Sequence, residues 1–232
     1  MQPSRRQLLL ALRDPVRLWL ARTGLLAVIA FALAILVLHI SVYPFEPIHM
    51  SEFAHSPWAW IWTAASAALA VASLVVAWAA APVLPRDGRS LPGVLMLGLA
   101  SFTLLLVAVI PVDAAGTTVA GQVHNDAAWA TFLALAASML LLGGAFRRSP
   151  FWVTLSPASL WLGRLAAALG VAYIWLDASN QGAAGLVQRA AVAVGLAWIT
   201  LLALRLQELE AWAGRRLKKR QEKTGRSGPQ RT

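Results

Sequence analysis

Residues 23–42 read Thr23-Gly-Leu-Leu-Ala-Val-Ile-Ala-Phe-Ala-Leu-Ala-Ile-Leu-Val-Leu-His39-Ile-Ser-Val42, twenty positions without a formal charge. A helix needs about 20 predominantly apolar residues to cross the hydrocarbon core of a bilayer. In hydrocarbon the backbone has no water to bond, so an apolar run of this length satisfies its own N–H and C=O groups as a helix. Five further runs follow: Trp58–Ala81, Gly93–Pro111, Ala127–Phe146, Leu160–Leu176 and Leu186–Leu204. None alternates apolar and polar positions as a lipid-facing strand would, which argues against a β-barrel. The expectation is an all-α, six-helix transmembrane bundle.

The rest of the composition agrees. The chain is 59% hydrophobic and 13% charged over 232 residues. Its runs are too closely spaced for a second folded unit, so one membrane domain is expected over 23–206. A basic segment, 1–22, precedes it and a basic tail, 207–232, follows. Cysteine is absent, which excludes disulfides and thiolate metal sites. The first run lacks a small-x-small cleavage pattern after it and reads as a retained span.

Charge placement sets the expected orientation. Arg5, Arg6, Arg13, Arg17 and Arg22 precede the first run, Arg86 and Arg89 follow the second, and Arg147 and Arg148 follow the fourth. The tail adds Arg205, Arg215, Arg216, Lys218, Lys219, Arg220, Lys223, Arg226 and Arg231. All fall on one side of a six-span chain, and Arg189 is the exception on the other. The positive-inside bias then places both termini in the cytoplasm of a plasma (inner) membrane protein. The basic tail beside the bilayer is expected to meet anionic lipid, at about 1 kcal/mol per base. The bases are scattered over loops and tail without a binding fold, so a nucleic-acid partner is not expected. No protein partner is indicated.

Helix punctuation marks the span ends. Asp14-Pro15, Ser56-Pro57 and Ser156-Pro157 each set a capping oxygen before a proline suited to the first helical position. Trp58, Trp60, Trp129 and Trp175 are expected near the outer interface, and Trp19, Trp78, Trp152 and Trp161 near the inner one. Leu202, Leu206, Leu209 and Trp212 continue a helical stripe past the membrane, ahead of a Gly/Ser/Gln-rich end expected to be disordered. Arg164, about two turns into the fifth span, is expected to snorkel to the inner head groups.

The candidate chemistry lies on the outer side. All four histidines, His39, His49, His55 and His124, fall there, with Glu46, Glu52, Asp113, Asp126 and Asp177. Imidazole with carboxylate is a ligand set for zinc or copper, and equally a set for acid–base work. The metal candidates are His124, Asp113, Asp126, His49 and His55, but no tight His/Glu spacing commits them. Asp113 and His124 stand out because each sits at the end of a span in an apolar setting, where an ionisable group is costly. Thr117 or Thr118 can cap a helix that carries Gly121, His124 and Asn125 on one side. A hydrogen bond from Asp113 to His124 across that turn is expected. Arg189, about one turn into the sixth span, needs a partner, with Asp177, Glu52 and Asp113 in reach.

Ile110-Pro111-Val112-Asp113, with Thr117, Gly121 and His124, resembles the "Phe-Pro-Thr-Asp … Thr … Gly-x-x-His" signature of bacterial membrane proteins grouped as domain of unknown function family 998. Ile48-His49-Met50-Ser51-Glu52-Phe53-Ala54 and Gly185-Leu186-Val187-Gln188-Arg189 are similar to two flanking segments of that family. The resemblance covers roughly 24–205. It implies a six-helix bundle and no assigned reaction.

Glu52, Asp113, His124 and Arg189 are therefore the expected ligand-binding set of one outer polar pocket. A lipid- or small-ligand-binding or accessory membrane protein needs no more than that. A metal-dependent membrane hydrolase using the outer His/Asp cluster is the first alternative, and a small-molecule transporter the second. No motif decides whether the chain is an enzyme.

Overall fold

The computed structural model describes residues 15–42, 49–110, 113, 118–179 and 181–225. Six long helices make up the bundle: α1 Pro15–Ser41, α2 Ala59–Ala80, α3 Ser90–Val109, α4 Val119–Phe146, α5 Ser156–Ala178 and α6 Ala184–Gly225. Short 3-10 turns at Met50–His55, Ala81–Val83 and Val153–Leu155 lie between them, and the described residues contain no strand. All six helices are long and apolar enough to cross a membrane. The shortest, α3 with 20 residues, spans about 30 Å at 1.5 Å per residue, the thickness of the hydrocarbon core.

Each helix packs on its neighbour in the chain, and α6 returns to pack on α1. The bundle is thus a closed ring of six helices. Close approach around it depends on small residues, as between membrane helices generally. A Cβ on Gly93 would sit 2.7 Å from Leu142 Cγ of α4, and one on Gly163 would sit 2.9 Å from Leu140 Cγ. Hydroxyls and indoles tie the same seams. Ser138 donates to the Gly93 carbonyl at 2.8 Å, and Trp198 Nε1 donates to Ser159 Oγ at 3.0 Å.

One end of the ring carries Arg86, Arg89, Arg147 and Arg148 and is called the arginine end. There Asp87 accepts from Arg148 Nη1 at 2.6 Å and from the Arg89 amide at 2.9 Å. The backbone bond from Arg89 foremost, with the Arg148 charge adding to it, holds the Asp87 carboxyl below its ordinary range. Trp152, expected at the inner interface, is instead fully buried here, stacked on Phe146 and donating to the Val83 carbonyl at 2.9 Å. Trp19, Trp78 and Trp161 are exposed at this end, and Trp58, Trp60 and Trp175 at the other, forming two aromatic levels. Arg164 is exposed and stacks on the Trp161 ring, 5.5 Å from its centroid.

Two capping expectations are corrected. Ser56 makes a turn ahead of α2, which starts at Ala59: its Oγ donates to Phe53 O and accepts from the Trp58 amide. Ser156 lies inside α5, and its hydroxyl reaches across to the Gly143 carbonyl at 2.7 Å rather than capping its own helix. Pro15 does open α1 as read. Helix α6 runs 42 residues, about 63 Å, well past the membrane. Leu206, Leu209 and Ala213 stay buried along that extension, Trp212 packs edge-on to Phe151, and Arg205 Nε donates to the Phe151 carbonyl at 2.9 Å. The segment 1–14 and the tail beyond Gly225 lie outside the described residues, as do Glu46, Pro111, Val112 and Thr117.

Candidate functional site

The interior of the ring is a cavity of about 390 Å³ to which all six helices contribute. It opens among His49, Glu52, Asp113, His124 and Asp177 at the end opposite the arginines, here the histidine end. From there it descends past Trp62, Phe132 and Val192 to Ser73 on α2, Leu97 on α3 and Ile199 on α6. Those three residues lie 12 to 15 positions from the histidine ends of their helices, a depth of about 20 Å. The hydroxyls along this depth are occupied by their own helices: Ser73 donates to Leu69 O and Ser101 to Leu97 O, both at 2.8 Å. Thr131 shares its proton between Ala127 O and Thr103 Oγ1. The deep wall is therefore lined by apolar side chains and by hydroxyls whose protons are already given away, and the ionisable groups gather at the mouth.

The mouth is assembled from three parts of the chain. The first is the turn from α3 into α4. Thr118 caps α4 by accepting from the Gly121 amide at 3.1 Å, and Asp113 Oδ2 accepts from the Thr118 amide at 2.8 Å. Gly121 faces Asp113 so closely that an added Cβ would sit 2.6 Å from the Asp113 Cβ. His124, two turns into α4 and 2% exposed, turns its Nδ1 to the Ile110 carbonyl at 2.9 Å. That carbonyl ends α3 and has no helical partner, so the imidazole donates the proton and Nε2 keeps its lone pair. The expected Asp113–His124 hydrogen bond is thereby corrected: the imidazole bonds the Ile110 carbonyl and Asp113 the Thr118 amide.

The second is the 3-10 turn Met50–His55, which lies against the ring. Gln188 of α6 accepts from the Met50 amide at 2.7 Å through Oε1, and its Nε2 donates to the Tyr173 hydroxyl at 3.4 Å. Phe53 is fully buried, and Glu52 lines the cavity without a side-chain hydrogen bond among the described residues. The third is the end of α5. Asp177 Oδ2 accepts from Trp129 Nε1 at 2.9 Å, while Oδ1 lies 3.6 Å from His49 Nε2.

Of the residues singled out in the sequence, Glu52, Asp113 and His124 line this one cavity. Arg189 is not among its lining residues. Its Nε donates to His39 Nε2 of α1 at 2.9 Å. Of the metal candidates, His49 lies at the mouth, whereas His55 and Asp126 are exposed. Among the described residues, no three His, Asp or Glu side chains converge on a point that would hold a metal ion. The sequence reading missed Gln188, Tyr173 and Trp129 as parts of the site. Gln188 stood in a quoted motif beside the more conspicuous arginine; Tyr173 and Trp129 carried no signal beyond their amphipathic chemistry.

A family model described as protein of unknown function (DUF998) matches residues 10–205. No curated protein and no solved structure matches the chain.

Proposed function

We propose, for a chain that belongs to the DUF998 family, a membrane protein that binds one small amphipathic molecule inside its helix ring. The observation that carries this reading is the cavity itself, with ionisable groups confined to one end and apolar wall over most of its depth. A volume of about 390 Å³ lies within the range of roughly 300–1,000 Å³ that encloses a drug-sized ligand. The polar contacts at the mouth would fix the ligand's head and the apolar wall its tail.

The competing readings gain less. A metal-dependent hydrolase needs three protein ligands and a water, and the described residues offer no such set. A transporter is expected to break helices around its site, whereas the spans here run uninterrupted. For orientation, the arginine end is the cytoplasmic face under the positive-inside bias, in an inner membrane, with both termini on that side. Exposed Arg215 and Arg216 on the α6 extension, with the basic residues beyond them, would then meet anionic lipid.

The test is extraction of the full chain in its native lipid followed by mass spectrometry of the bound molecules, with Ala100→Phe as comparison. Ala100 lines the cavity and is 4% exposed, so phenylalanine there fills the interior. One amphiphile retained by the wild type and lost from a folded Ala100→Phe supports binding. Identical retention in both would overturn it.

A further inference from the structure

The chemistry of the mouth narrows the ligand. The charged residues that line the cavity are Glu52, Asp113 and Asp177, and no arginine or lysine joins them among the described residues. The nearest base by sequence, Arg189, is directed to His39. Acceptors dominate the hydrogen-bonding inventory as well. Asp113 Oδ2 accepts from the Thr118 amide, Asp177 Oδ2 accepts from Trp129 Nε1 with Oδ1 3.6 Å from His49 Nε2, and Glu52 makes no side-chain bond among the described residues. His124, nearly inaccessible at 2% exposure, gives its Nδ1 proton to Ile110 and leaves Nε2 as a lone pair without a protein partner. The amide of Gln188 and the indole of Trp129 are donors already directed to Tyr173 and Asp177, and Trp62 Nε1 is a single buried indole donor in the wall without a hydrogen-bond partner among the described residues.

Carboxylates at the rim of a membrane cavity are costly unless a positive charge and N–H donors meet them. The geometry points to a primary ammonium on an unbranched apolar tail as the ligand, with the ammonium at the mouth lined by Glu52, Asp177 and His124 and the tail along the Leu97 and Ile199 wall. This rests on the amphiphile-binding reading above. An ammonium offers three N–H donors, matched to an acceptor-rich mouth, and charge-assisted bonds of this kind are about twice as strong as neutral ones. A sulfate or phosphate head would meet three acids, with imidazoles but no arginine or lysine among the described lining residues.

The full chain in phosphatidylcholine nanodiscs, titrated calorimetrically with empty-disc subtraction, tests it. Dodecylamine is expected to bind about tenfold more tightly than dodecanol, a ratio set by one charge-assisted contact. Glu52→Gln leaves the protein's own bonds intact, so it should cut dodecylamine affinity about fivefold and leave dodecanol unchanged. Dodecyl sulfate binding as tightly as dodecylamine would overturn the inference. So would equal affinity for dodecylamine and dodecanol. Dodecyltrimethylammonium matching dodecylamine would overturn the N–H part, because it carries the charge without donors. Phosphatidylethanolamine added to the disc offers the same ammonium beside a phosphate; displacement of dodecylamine by it would assign the site to that head group and overturn the phosphate-free ligand. If dodecanol and dodecylamine bind alike, and Ala100→Phe abolishes both, the amphiphile reading stands and only this inference fails. If neither binds more to wild type than to Ala100→Phe, both fall.

Discussion

His124 donates from Nδ1 to the carbonyl of Ile110, 2.9 Å away and fourteen residues earlier in the chain. This one bond closes the last turn of α3 onto the second turn of α4, and it decides which ring nitrogen faces the cavity.

Its removal has a bounded cost. Hydrogen bonds between membrane helices average about 0.6 kcal/mol and reach about 1.7. His124→Leu should therefore destabilise the protein by about 1 kcal/mol, and His124→Asn, which keeps an N–H donor, by less. Thermal unfolding in a fixed detergent measures both. A loss several times larger would mean that the imidazole braces more than the Ile110 carbonyl.

Gly121 should be the least tolerant glycine near the mouth. Its added Cβ would collide with Asp113, whereas one on Gly98 meets nothing within 4 Å. Gly121→Ala is expected to cost about 1–3 kcal/mol through forced displacement of the loop, with Gly98→Ala close to neutral. Equal melting temperatures for the two variants would contradict the close approach at Asp113.

Acid should act first at the arginine end. The Asp87 carboxyl has its folded pKa below the unfolded value. Its contribution is then complete above the unfolded pKa, near 4, and is lost as pH falls through the lower folded value. The stability difference between wild type and Asp87→Asn should be constant at neutral pH and shrink toward zero in acid. A gap that widens on acidification would reverse the sign assigned here.

Gln188 pins the Met50–His55 turn from α6. In Gln188→Leu the Met50 amide loses its acceptor and should exchange hydrogen faster, whereas Gln188→Glu supplies an equivalent oxygen. Unchanged exchange at Met50 in Gln188→Leu would show that the turn is held by the buried Phe53 alone.

The absence of cysteine makes orientation directly measurable. Gly182, in the turn before α6, and Gly214, on its far extension, both have open surroundings. With the arginine end cytoplasmic, Gly182→Cys should react with an impermeant maleimide in intact cells and Gly214→Cys only after lysis. The opposite pattern would invert the topology.

How much of this the sequence disclosed follows from which interactions are local. The number of spans was legible because hydropathy over twenty residues needs no knowledge of neighbours. The start of α4 was legible as well, since Thr118, Gly121 and His124 sit within two turns of one another. The partner of Arg189 was not: three acids stood at plausible depth, and His39 is 150 residues away on a helix whose proximity depends on ring closure. The roles of Ser156 and Trp152 were misread for a related reason. A serine before a proline carries the signature of a cap, and a tryptophan near arginines that of an interface, but both side chains answer to helices elsewhere in the ring.

That ring has five seams whose helices follow one another directly in the chain and one, between α1 and α6, whose helices do not. Anywhere else, parting two helices is limited by the covalent tether between them. At α1 and α6 side-chain packing and contacts such as the Arg189–His39 bond hold the wall together without a direct tether. The chain itself therefore constrains opening of the wall least along this one line. Lateral tension in the bilayer, or a solute wedging outward from the interior, would spread the structure there before any other pair of helices yields.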